Sequence, residues 1–324
     1  MTQLTMLKFR PLLKSIVWGG RNMETVLGRQ LPTADAYGES WEIVDLEQNQ
    51  SVVESGAFIG KTLGEMLSEY PTEMLGNAHL LDGRFPLLMK FIDAQQTLSV
   101  QVHPDPQACR LLKNGARPKT EAWYIIDCIP GAKLYVGLKT GVTQTQFEKA
   151  VQDGTVAELL HQIQVSKGDY VYLPSGTVHA IGDGIVLAEV QQSSNTTYRV
   201  FDWNRAGLDG APRQLHIDEA LASIHFSEHG APRITAPLSG RRGVRCDYFS
   251  METVALEDGD AATFESDGPI VVMCTAGAGT LQLATDGDTQ TASTGTTVFV
   301  PAVQSSHLAL RATGTIECVV TQIP

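Results

Sequence analysis

One short stretch limits the folds open to this chain more than any other: Gly168, five residues, Pro174, one residue, Gly176, two residues, His179 (GDYVYLPSGTVH). Between its breakers lies Asp-Tyr-Val-Tyr-Leu, rich in β-branched and aromatic side chains, so the frame reads strand, tight turn, strand. Pro174 closes the first strand, and Gly176 gives the backbone the freedom to turn. His179 is then aimed into the interior of a small β-barrel, where an imidazole is a candidate metal ligand. The bland alternative is a satisfied core or surface histidine; the fixed frame favours the ligand. A weaker echo follows at Gly295 to Pro301 (GTTVFVP), with His307 behind it. Two copies of a β-barrel unit explain the echo, as does chance punctuation. The second copy lacks the other polar residues found around the first and is read as metal-free.

The rest of the chain suits a mainly β protein. Strand runs are expected at Leu87–Val102, Ala122–Ile129, Asp169–Leu173 and Ile185–Val190. Helical spacing appears at Gly60–Leu75, broken at Pro71, and at His216–Ile224. It appears again from Thr143 to Ile163, interrupted at Asp153-Gly154. Beyond about Pro232 the sequence turns Gly/Thr/Ala-rich, with short β runs at Ile270–Cys274, Thr280–Leu283, Thr297–Val300 and Cys318–Thr321. A boundary is therefore placed near residue 235, giving units 1–235 and 236–324.

Composition narrows the function. The 324 residues carry 24 Lys+Arg against 36 Asp+Glu, a formal charge of −12, which argues against nucleic-acid or anionic-membrane partners. The start has no secretory signal pattern and no run is apolar enough to span a membrane. Five scattered cysteines contain no C-x-x-C pair, so they read as reduced thiols of a cytoplasmic protein. Any metal must rest on His, carboxylate and amide ligands.

Strand parity supplies those ligands. In Leu98–Pro104 (LSVQVHP), Ser99, Gln101 and His103 share one face and Leu98, Val100 and Val102 the other. Such a strand either lies exposed at an edge, the marginally preferred reading of this segment alone, or lines a polar cavity. Lys119, Glu121 and Trp123 likewise share a face as the chain enters an apolar strand. Gln101, His103, Glu121 and His179 together offer two imidazoles, a carboxylate and an amide. That mixed N/O set suits Zn²⁺ with a position left open, while Mn²⁺, Fe²⁺ or Co²⁺ suit it too. Glu189 and Gln191 share a strand face. Arg199 sits in an aromatic-rich strand, where it is either half of a buried salt bridge with Asp202 or a cation aimed at phosphate or a developing oxyanion.

The Gly-x5-Pro-x-Gly-x2-His frame resembles the second motif of cupins. The ordered set SVQVHPD (99–105), KTEAWY (119–124), PSGTVHAIG (174–182) and AEVQQSSNTTYRVFDWNR (188–205) resembles type I mannose-6-phosphate isomerases in their shorter bacterial form. Trp18-Gly19-Gly20 and Gly38-Glu39-Ser40-Trp41-Glu42 resemble that family as well, although Trp41 reads physically as a core residue. The resemblance covers roughly residues 8 to 240. It implies two cupin-type jelly-roll barrels with a few helices inserted in or around the first, residues 236–324 forming a smaller unit without metal ligands. It also implies Zn²⁺ on Gln101, His103, Glu121 and His179, an active-site role for Arg199, and Lys119 and Glu189 around the substrate. The implied reaction interconverts mannose 6-phosphate and fructose 6-phosphate through an enediol(ate), the base being Glu189 or a metal-bound water. Longer members carry an extra helical domain, and 324 residues leave no room for a full one, which leaves open any phosphate contacts drawn from it. A sugar phosphate is the expected partner, with a monomer as the default. The competing readings are an Fe²⁺-dependent cupin dioxygenase, which has no need of Lys119 or Arg199, and a catalytically silent sugar-binding cupin.

Overall fold

Two antiparallel sheets, of six and five strands, are built from residues 12–201 in the computed structural model, which describes residues 4–226, 243–284 and 287–324. In chain order the strands are β1 (Leu12–Gly20), β2 (Tyr37–Ile43), β3 (Leu87–Ala94), β4 (Val100–Val102), β5 (Glu121–Cys128) and β6 (Lys133–Leu138). Then come β7 (Leu160–Gln164), β8 (Tyr170–Leu173), β9 (His179–Ile181), β10 (Ile185–Gln192) and β11 (Tyr198–Phe201). One sheet runs β8-β5-β10-β3-β2-β1 and the other β7-β6-β9-β4-β11. From β3 onward the chain steps between the sheets, staying in one only for β6 and β7. This is the jelly-roll arrangement.

The two sheets face each other across Trp123, Ile125, Leu134, Val136, Leu173 and Leu187. Alternate residues of the same strands, Tyr124, Ile126, Ala188 and Val190, point to the opposite face and pack into a second core. Burial on both faces explains why the segment after Glu121 is apolar without alternation.

Covering that back face is the second unit, a seven-stranded antiparallel sheet. Its strands are β12 (Gly243–Arg245), β13 (Ser250–Leu256), β14 (Ala261–Phe264), β15 (Ile270–Leu283), β16 (Thr289–Ser293), β17 (Thr297–Val300) and β18 (Leu308–Gln322). Met273, Phe299 and Val319 pack against the first unit, while Val272, Cys274, Leu281, Leu310, Cys318 and Val320 close an apolar core of their own. The start of the chain joins this unit, since Leu7 bridges Phe299 and Met6 enters the apolar core. The boundary expected near 235 lies outside the described residues.

Four short C-terminal runs were expected. Two of them, Ile270–Cys274 and Thr280–Leu283, are parts of the single strand β15, and Cys318–Thr321 belongs to the 15-residue β18. The glycines that look like breakers are bulges: the register slips between Gly277 and Gly279, and Gly277 has φ +77°. A Cβ there would stand 1.9 Å from the Thr315 carbonyl oxygen, so only glycine fits.

The helices follow their caps. α1 (Leu63–Glu69) starts at Thr62, which forms a capping box with Glu65, and Pro71 opens α2 (Pro71–Leu75). α3 (Pro106–Leu112) is capped by Asp105 and α5 (Ile217–Ser223) ends before Ile224. α4 (Gln144–Asp153) starts at Thr143 as expected but stops at Gly154, which is left-handed at φ 73°. After one 3₁₀ turn, Leu160–Ile163 is strand rather than helix, because Leu160 and Ile163 pair with Leu138 and Leu134 of β6. Among the described residues no helix is long and apolar enough to cross a membrane.

Candidate active site

The Ser99/Gln101/His103 face does not lie on an exposed edge. β4 is interior to its sheet, with Gln101 opposite His179 of β9 on one side and Arg199 of β11 on the other. Pairing on both sides turns Val100 and Val102 into core and Gln101 towards the cavity between the sheets. Glu121 opens β5 opposite Leu173 and Gln191, while His179 opens β9 just after the Gly176 turn. Gly176 has φ +87°, and a Cβ would stand 2.7 Å from the His225 ring. Its N–H donates to the His103 carbonyl at 2.8 Å, tying the two histidine segments together.

His103, Glu121 and His179 come together with their ligand atoms all within 4.8 Å of one another, and none is more than 2% exposed. His179 Nε2 lies 3.2 Å from one Glu121 oxygen and His103 Nε2 3.5 Å from the other. Each Nδ1–H donates to a backbone carbonyl, His103 to Thr196 at 2.8 Å and His179 to Thr177 at 2.9 Å. Those bonds settle the tautomer and leave both Nε2 atoms unprotonated beside Glu121, that of His103 accepting from Lys119 Nζ at 3.2 Å. Gln101 stands beside the group, its amide Nε2 donating to His179 Nε2 at 3.3 Å.

These residues fit a cation. Both Glu121 oxygens are buried and accept no well-formed hydrogen bond, although Lys119 Nζ stands 2.5 Å from one of them. Lys119 covers that oxygen only; the other faces the unprotonated His179 Nε2, and a buried carboxylate oxygen facing a lone pair calls for a positive partner. Burial and then Lys119 push the His103 pKa well below its ordinary value, keeping the ring neutral. Burial raises the Glu121 carboxyl, but the Lys119 ammonium beside it outweighs that and holds it well below the usual carboxylate range. Neutral imidazole and ionised carboxylate are the forms a metal takes, and with no thiolate present the set suits Zn²⁺.

Beside this group opens a cavity of about 530 Å³. A chain of polar contacts crosses its wall from β10 to β2. Glu189 accepts from Trp123 Nε1 at 3.0 Å and pairs with Lys90 at 3.1 Å; Lys90 reaches Glu39 at 3.5 Å, and Glu39 accepts from Trp41 Nε1 at 2.5 Å. Burial alone would lower the Lys90 pKa, but Glu189 and Glu39 prevail and raise it, so the lysine stays charged. Trp41 is buried as expected, yet its ring is also cavity wall, under Lys14 Nζ at 4.6 Å and Lys90 Nζ at 5.2 Å. Sequence reasoning missed Lys14, Lys90, Arg213 and the cavity role of Glu39. A signal was present for Lys90, a lysine amid a run that is otherwise nearly all apolar (LLMKFIDA).

Arg199 does not pair with Asp202. Asp202 is taken by Arg205 at 2.7 Å and Arg213 at 2.5 Å. Arg199 instead donates to Ser99 Oγ at 3.2 Å and the Gln214 carbonyl at 2.8 Å, its charge left for the cavity. Burial and the neighbouring Arg213 lower its pKa from the usual guanidinium value.

Fold and site define a bicupin with, among the described residues, one buried His/Glu/His group able to hold a metal, opening onto a cation-rich pocket. The family model for the catalytic domain of type I phosphomannose isomerases matches residues 6–122. "Probable mannose-6-phosphate isomerase GmuF" of Bacillus subtilis (strain 168) is 38% identical over 247 residues, 74% of this chain and 76% of that protein. "Mannose-6-phosphate isomerase ManA" of the same strain is 41% identical over 217 residues, 67% of each chain. The crystal structure of a Bacillus subtilis mannose 6-phosphate isomerase superposes with a TM-score of 0.86 and 30% identity, covering 99% of this chain and 100% of that one. The chain belongs to the type I phosphomannose isomerase family.

Proposed function

We infer that this chain is an aldose–ketose isomerase interconverting D-mannose 6-phosphate and D-fructose 6-phosphate in the cytoplasm. The observation that carries the reading is the buried His103–Glu121–His179 group, with Gln101, opening onto a pocket lined by Lys119, Arg199 and Lys90. A dioxygenase of the same superfamily would present an apolar pocket instead. Residues 1–235 are assigned as the catalytic unit and 236–324 as a metal-free support.

The reaction moves a proton between C2 and C1 of the open-chain sugar while charge develops on the neighbouring oxygen. Gln101, His103, Glu121 and His179 would hold Zn²⁺, which when bound would supply Lewis acidity toward the sugar oxygens. Arg199, with no carboxylate within 4.0 Å among the described residues, stabilises the developing oxyanion. Glu189 is the carboxylate placed to carry the proton, its two oxygens oriented by Trp123 and Lys90. Lys119, paired with Glu121, presents an ammonium where substrate oxygens meet the ligand group.

The test is a coupled assay of mannose 6-phosphate conversion on as-purified, chelated and Zn²⁺-reconstituted protein, beside His179→Ala. Activity is expected to vanish with chelator, return with zinc and be absent in the variant. A folded, zinc-loaded wild type that leaves mannose 6-phosphate unconverted would overturn the reading.

A further inference from the structure

The cations lining the cavity are not equivalent. Lys119 pairs with Glu121, Lys90 with Glu189 and Glu39, and Arg213 with Asp202. Among the described residues, Lys14 and Arg199 are the two cations of this wall with no carboxylate within 4.0 Å. Arg199 is held beside Gln101, next to the ligand group.

Lys14 stands elsewhere, on β1, the outermost strand of the six-stranded sheet. It is half-buried and its direction is set by neutral partners: the ammonium donates to Asn49 Oδ1 at 2.6 Å and lies 4.6 Å over the Trp41 ring. Neutral partners orient a charge without cancelling it. Across the sheet, Trp41 lies opposite Lys90, Lys90 opposite Glu189, and Glu189 opposite Trp123. Three strand spacings, about 14 Å of backbone, therefore separate Trp41 from the strand that carries Glu121. Lys14 and the ligand group stand at opposite ends of one wall. A sugar whose reacting carbonyl and phosphate are at opposite ends calls for two centres held apart along one wall, with side chains reaching inward from each. The phosphate needs a cation that will not disturb the carbons being rearranged. Lys90 and Arg213 would have to give up carboxylates to serve.

We propose that Lys14, seated on Trp41 and Asn49, is the phosphate anchor of the cavity and the residue that selects phosphorylated sugars. The assignment rests on the isomerase reading. Removing the anchor removes binding shared equally by ground and transition states, which raises KM and leaves kcat. Lys14→Met is therefore expected to raise the KM for mannose 6-phosphate about tenfold or more, with kcat within about twofold of wild type. Competitive inhibition by inorganic phosphate weakens by a similar factor, and Lys14→Arg restores most of both. Unchanged KM and unchanged phosphate inhibition in Lys14→Met would overturn the proposal, as would a fall in kcat at constant KM. Calorimetric titration of inorganic phosphate into the same folded proteins separates the two readings. If the wild type binds phosphate and Lys14→Met does not, the anchor stands even where mannose 6-phosphate is not turned over.

Discussion

Strands β8 and β17 are framed alike, each by a glycine and a proline with five residues between, and each pairs antiparallel with a central strand of its unit. Beyond the proline the two units part. After Pro174 the chain turns at Gly176 and re-enters the sandwich with His179 pointing inward; after Pro301 it enters a short helix, Ala302–Ser305, and His307 is exposed. The interiors differ in the same sense. Glu121, His179, Glu189 and Lys90 stand among the apolar residues of the first, whereas Val272, Cys274, Leu281 and Cys318 fill the second. The backbone frame makes a strand and a turn in both units. Chemistry enters only where inward positions trade apolar packing for buried charge, which costs stability. The second unit, lying on the back of the active sheet, offsets part of that cost by burying Met273, Phe299 and Val319 against it.

The largest effect should come from breaking the polar interior. Glu121→Gln removes the one anionic ligand, and zinc content by elemental analysis should fall to near zero, with kcat/KM down on the order of 10³-fold. Cys318→Ala, inside the other unit, should leave zinc content at the wild-type value. Full zinc occupancy in Glu121→Gln would place the metal elsewhere. Next in size is the reverse experiment. Leu281 is fully buried in the apolar core, so Leu281→Ala should cost about 3 kcal/mol in urea unfolding while the folded protein keeps its zinc and its kcat. A fall in kcat without that loss of stability would show that the second unit does more than support the first.

How much of this contrast was legible from the sequence depends on how local each feature is. The His179 frame is local, because punctuation and turn geometry lie within twelve residues. Gln101, His103 and Glu121 needed only strand parity, although parity alone left the edge-strand reading of β4 open. That reading failed because pairing on both sides of β4 comes from β9 and β11, far along the chain. The wall formed by Glu39, Trp41, Lys90 and Glu189 depends on the register of β2, β3 and β10, and nothing in any one segment reports it. Lys14 was invisible for the same reason, lying opposite Glu39 through a pairing that spans 25 residues. In the second unit, glycines that serve as bulges inside a long strand look the same as glycines that end short ones. The Arg199 alternative was decided by which of three nearby guanidinium groups reaches Asp202, a matter of side-chain geometry.

That competition yields the smallest and most selective prediction. Burial raises the Asp202 carboxyl pKa, but hydrogen bonds from Arg213 and Arg205 outweigh it and the folded value is depressed. A carboxyl depressed on folding contributes its full stability above the unfolded pKa, about 3.9, and loses it as pH falls through the folded value. Asp202→Asn should therefore lower stability by about 2 kcal/mol at pH 7, and the gap from wild type should close as the medium is acidified below about pH 4. Urea titrations of both proteins at pH 7 and pH 3 measure it. An equal gap at the two values would mean that the two arginines hold Asp202 by hydrogen bonding that survives protonation. A closing gap would mean that the charges of Arg205 and Arg213 hold Asp202 between them, leaving Arg199 and Lys14 as the cavity cations with no carboxylate within 4.0 Å among the described residues.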